Sequence, residues 1–157
     1  NISSLSSLMI EKFLIVAYNS AQNEETTILQ NALETITSLL RISSLSSQLT
    51  ENKYSKSLLT SVLKNSSKVV RKMARNFAIE INKSQPIVIN WLIDEFETML
   101  PTDQYCFEII SVIYLLLSQI SQSESNNKLL VDDTVSRLIE ILSLKFNSIY
   151  NLLTKSI

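Results

Sequence analysis

The chain has 157 residues, 45% of them hydrophobic, with 14 basic and 15 acidic residues and a net charge of −1. It contains no histidine and a single cysteine, so the commonest general base and metal ligand is missing, and neither an internal disulfide nor a multi-thiolate zinc site can form. It also has no glycine and only two prolines, which excludes glycine-rich phosphate loops and deprives tight hairpins of their usual residue. An all-α protein follows, large enough for one domain over 1–157 with a substantial core. No catalytic residue, cofactor or metal is expected in it.

Seven helices are expected, in this order. Residues 4–20 carry Leu5, Leu8, Met9, Lys12, Phe13 and Val16 at helical spacing. Asn23 followed by Glu24 and Glu25 suits the start of a second helix over 24–42, because acids favour the positive end of a helix. Its apolar positions are Ile28, Leu29, Ala32, Leu33, Ile36, Leu39 and Leu40. The polar run SSLSSQLTENK that follows reads as a connection. A third helix is expected over 54–64 and a fourth over 67–83. In the fourth, Val69, Val70, Met73, Ala74, Phe77 and Ile81 form one stripe, while Arg71, Lys72, Arg75, Asn76, Glu80 and Asn82 lie largely off it.

Pro86 falls one or two positions into a fifth helix, where proline is tolerated, and that helix ends before Pro101. Thr102-Asp103 caps a sixth over 103–122, apolar around much of its circumference from Ile109 to Ile120. SQSESNN reads as a loop, and Asp132-Asp133 opens a final helix over 131–155. In that helix Leu138, Ile141, Leu142, Leu144, Phe146, Ile149, Tyr150, Leu152 and Leu153 wrap around more than one face.

The residues with chemical potential have simple structural readings. Cys106 lies in the apolar run YCFEIISVIYLLL and is expected to be a buried, inert thiol. Asp94-Glu95, Glu97 and Asp132-Asp133 are expected to be solvated or to cap helices. Trp91 is expected to pack between helices, with an exposed binding anchor as the second reading. The longest apolar run, 109–117, is about nine residues against the roughly twenty that span a bilayer. Residues 8–17 are interrupted by Glu11 and Lys12 and read as an amphipathic helix instead of a signal sequence. A reduced intracellular setting, cytoplasmic or nuclear, is expected, and the start at Asn1 suggests a piece of a longer protein.

Charge is segregated. Residues 53–83 hold eight of the fourteen basic residues and one acid, Glu80, whereas 84–133 hold eight acids and only Lys128. Lys68, Lys72 and Arg75 recur at i, i+4 and i+7, so they share a helical face, with Arg71 beside them. Such a patch can steer a charged partner. Nucleic acid is disfavoured, because the pI is near 5.5 and no aromatic residues interleave with the basic ones. An acidic segment of another protein fits better.

The stretch over 65–81, NSSKVVRKMARNFAIEI, takes a polar turn into a helix with Val70-Arg71, then Ala74, then Phe77. It resembles the second helix of a HEAT-type repeat. Ala32 and Ala74 stand 42 positions apart in corresponding helices, and a period of about 40–47 residues belongs to HEAT and armadillo arrays. The resemblance implies antiparallel helix pairs stacked as a short α-solenoid, with repeats over 3–42, 54–83 and 86–122. It implies that Val70 enters the core and that Arg71 bonds acidic or carbonyl groups around the intra-repeat turn. The sequence departs from the pattern where Asn65 or Ser66 replaces the usual aspartate and Lys68 stands where proline or glutamate is common, which leaves Arg71 freer to meet a partner. The implied function is a non-catalytic protein–protein interaction scaffold flanked by neighbouring repeats of its parent chain. The alternative is an accessory helical region of a large enzyme; the helical region of the giant ubiquitin-specific proteases is similar in its Val-Arg helices.

Overall fold

The computed structural model describes residues 2–84, 86–122 and 128–155. Among the described residues there are eight helices and no strand: α1 Ile2–Gln22, α2 Thr26–Leu40, α3 Ser43–Glu51, α4 Lys53–Leu63, α5 Lys68–Ser84, α6 Ile87–Thr98, α7 Cys106–Gln122 and α8 Lys128–Lys155. The all-helical expectation holds. Contacts divide the chain into two units, Asn1–Val88 and Ile89–Ile157.

In the first unit α1 packs on α2 and α4, α2 and α4 both pack on α5, and α3 touches all four. The face that α1 buries differs from the expected one. Leu5, Leu8, Met9 and Val16 are exposed, while Ile10, Leu14, Ala17 and Ser20 are buried. The helix is apolar on more than one side, so periodicity alone does not choose the buried arc. Packing does: Ala17 and Ser20 are small enough to let a neighbouring backbone approach. Tyr18 of α1 meets Tyr54 of α4 with ring centroids 5.9 Å apart.

Glu24 closes the first helix, while Glu25 is the N-cap residue of α2, its carbonyl accepting the Leu29 amide at 3.0 Å. Glu24 has φ 58°, a left-handed conformation that glycine usually supplies just past a helix. The Glu25 amide donates to the Ser20 carbonyl at 3.0 Å, the six-to-one bond of a Schellman ending. In a chain without glycine, a glutamate occupies the strained position.

The largest correction concerns residues 43–51, expected as part of a connection and found as helix α3. Serine and threonine lower helical expectation because their hydroxyls compete for backbone groups. Here Thr50 Oγ1 bonds its own helix, donating to Ser46 O at 3.2 Å and Ser47 O at 2.8 Å. Leu49 is fully buried, and the Ser55 hydroxyl donates to the Leu49 carbonyl at the end of α3. Leu49 anchors this nine-residue helix against its neighbours α1, α2, α4 and α5.

α5 buries Val70, Ala74, Phe77, Ala78 and Ile81 completely. Two members of the expected stripe fall at its edge: Met73 is half-buried and Val69 is 55% exposed. Asn82, expected off the stripe, is buried.

In the second unit α7 buries Ile109, Val112, Ile113, Leu116, Leu117 and Ile120 along one face and packs on α8. Its other side is open, with Tyr114 and Leu115 exposed, so it is not covered all round as its composition suggested. α8 starts one turn before Asp132-Asp133. It buries Thr134 and Ile141 while Ile139, Leu142, Leu144, Phe146 and Tyr150 are exposed. The side chains of Leu152 and Leu153, and most of the SQSESNN segment, lie outside the described residues.

Polar bonds tie α8 to α6. Arg137 Nη2 donates to Asp94 Oδ1 and Glu97 Oε2, each at 2.9 Å. The two carboxylates raise the guanidinium pKa further above its ordinary value, chiefly through these hydrogen bonds. All three groups are well exposed, so the triad stabilises the pairing by no more than about 1 kcal/mol. Lys145 Nζ donates to the Glu97 carbonyl at 3.3 Å and to the Met99 carbonyl, and lies 5.1 Å from the Phe96 ring centre. A cation there meets the negative end of α6 and two carbonyls that the helix leaves open.

Two stability measurements follow from the first unit. Urea melts of Phe77→Ala should show a loss of about 3–5 kcal/mol, the cost of emptying a fully buried aromatic site. Replacing Glu24 with glycine should instead raise stability by about 0.5–1 kcal/mol, because it relieves the left-handed strain at one position.

Candidate interaction surface on helix α5

The turn entering α5 is built by its own side chains. Asn65 Oδ1 accepts the Ser67 amide at 2.8 Å, and Ser67 Oγ accepts the Val70 amide at 3.5 Å, the N-cap position. Asn65 thus supplies the acceptor that an aspartate would supply there. Arg71 folds back onto the same turn, its Nη1 donating to Asn65 O at 2.6 Å and Ser66 O at 2.8 Å. The guanidinium is held by carbonyls of the turn, so the departure at Asn65 does not leave it at large.

With Val70, Ala74 and Phe77 turned inward, the expected basic residues fall on the outward side. Lys68 and Lys72 are exposed and Arg75 is half-buried. Lys83 Nζ contacts Glu80 Oε1 at 2.8 Å further along the helix. Arg41, just past α2, brings a further cation to the same acid, its Nε 3.9 Å from Glu80 Oε1. Between α2 and α5 lies an open groove of about 300 Å³ lined by Glu34, Thr37, Ser38, Arg41, Met73 and Asn76. Sequence reading missed Arg41 and Glu34. The signal was present as Glu34, Ser38 and Arg41 at i, i+4 and i+7, which share one face running to the end of α2.

The other candidates have quieter places. Trp91 is 9% exposed, which fits packing and removes the anchor reading. Asp94 and Glu97 are engaged by Arg137, whereas Asp132 and Asp133 are exposed. Among the described residues no cluster of three histidine, cysteine or acidic side chains could hold a metal ion, and no helix is long and apolar enough to cross a membrane. Cys106 is half-buried at the start of α7, not fully buried, and its Sγ lies 3.2 Å from the Leu100 carbonyl as donor. Burial raises its pKa, the negative charge of Asp103 raises it further, and Lys145 partly offsets both.

No protein-family model, no curated protein and no solved structure matches this chain.

The thiol gives a pH test. Since its pKa is raised, the reactive thiolate forms later, and the rate of reaction with an aromatic disulfide reagent should turn upward above the ordinary value of 9.0. Asp103→Asn keeps an acceptor for the Tyr105 amide and removes the charge, so its inflection should move down. An unmoved inflection would show that Asp103 does not act on the thiol.

Proposed function

We propose that this chain is a non-catalytic protein–protein interaction scaffold of stacked helix pairs, related in design to HEAT-type repeats, and that the outward face of α5 receives an acidic segment of a partner protein. The observation that carries the reading is the setting of α5. Val70, Ala74, Phe77 and Ile81 are committed to the interior, and the opposite side presents Lys68 and Lys72, with Arg75 at the margin. Arg71 supports that surface from behind by holding the turn from which the helix starts.

The stacking part of the reading is supported by which helices touch. α1 meets α4 and α2 meets α5, so first helices lie by first helices and second by second, as a repeat of pairs would place them. α3 is an insertion in that scheme. The composition supports the non-catalytic part, since it offers neither histidine nor an activated nucleophile.

The test uses a fluorescein-labelled peptide of glutamate and leucine as the acidic probe. Rim charges act chiefly on association rate and its salt sensitivity. The variant Lys68→Glu, Lys72→Glu, Arg75→Glu should bind the peptide more slowly and with a flatter salt dependence, at unchanged helicity. Identical rates for variant and parent would reduce the basic face to solvated surface.

A further inference from the structure

We infer that the groove between α2 and α5 takes one carboxylate of that acidic segment on Arg41, and that Glu34 keeps a second carboxylate out of it. The inference rests on the reading of α5 as a face for an acidic partner, and adds where the segment seats and what sequence it must have.

Arg41 is unusually available. Its side chain is 67% exposed, and its approach to Glu80, at 3.9 Å, is at the outer limit of an ion pair. Glu80 is meanwhile held at 2.8 Å by Lys83 and is only 15% exposed. A guanidinium carries five donors in a fork that fits a carboxylate through two parallel bonds, so one long contact leaves most of that capacity for a ligand.

The remaining lining is matched to a peptide. Asn76, exposed on α5, carries both a donor and an acceptor and can bond a main-chain amide irrespective of side chain. Met73, half-buried beside it, offers an adaptable apolar contact. The Thr37 hydroxyl donates to the Leu33 carbonyl at 2.7 Å, so it offers a ligand an acceptor and no donor. Glu34 stands two turns before Arg41, about 10 Å along the helix axis. A carboxylate that reaches Arg41 is attracted, and one placed near Glu34 is repelled. The preferred segment carries an acid, then an apolar residue, then a neutral or basic one.

Two single variants with opposite signs test this on the 157-residue chain with the same labelled glutamate–leucine peptide. Arg41→Ala should weaken equilibrium binding by about threefold or more, and Glu34→Gln should strengthen it by about twofold, the range of exposed charge contacts. Arg41→Lys should recover only part of the loss, because a single ammonium does not reproduce the fork. Circular dichroism of each variant should match the parent. If the triple reversal on α5 abolishes binding while both groove variants bind like the parent, the groove inference falls and the α5 face stands. If the groove variants respond and the triple reversal does not, the groove stands alone. If the parent chain does not bind the peptide, both fall.

Discussion

The rotational setting of α5 governs the first unit. Val70, Ala74, Phe77 and Ile81 are shielded from water completely, and burying a phenylalanine with three aliphatic neighbours is worth several kcal/mol. A rotation that exposed Phe77 would lose most of that, so the helix has one favourable orientation about its axis. Everything on its surface inherits the choice. Lys68 and Lys72 face water because Val70 and Phe77 do not, and Met73 and Asn76 edge the groove because they sit a quarter-turn from the stripe.

The second unit uses a different balance. α8 exposes much of its apolar surface, and part of its attachment to α6 is polar, through Arg137 and Lys145. These two residues do unlike work. Arg137 joins two solvated carboxylates, a contact that salt weakens. Lys145 serves carbonyls at a helix end, where backbone acceptors would otherwise depend on water.

Much of this was legible in the sequence, for reasons that can be named. A strong single stripe such as that of α5 fixes both element and face, and the polar turn at Asn65 marks its start. α1 was legible as a helix but not in its face, because apolar residues lie on several sides and the small ones decide the contact. α3 was illegible because seven of its nine residues are polar, and the Thr50 hydroxyl bonds within the helix instead of competing with it. The basic face could be foreseen from spacing within one helix. The groove could not, because its two walls are α2 and α5, separated by two other helices in the chain.

The helix entrances share a device whose consequence is kinetic. Asn52, Asn65 and Asp103 each accept, through a side-chain oxygen, the amide two residues ahead, at 3.0, 2.8 and 2.8 Å. These bonds close loops of minimal length and require no distant part of the chain. They can therefore form in the denatured ensemble, within the sub-microsecond times of local chain closure and helix growth. Helices α4, α5 and α7 then begin at set positions before their apolar faces meet. A glycine-free backbone loses less entropy at each such turn, since its unfolded chain samples fewer conformations. Local bonds of this kind are the contacts that favour fast folding, because they form without closing a long loop.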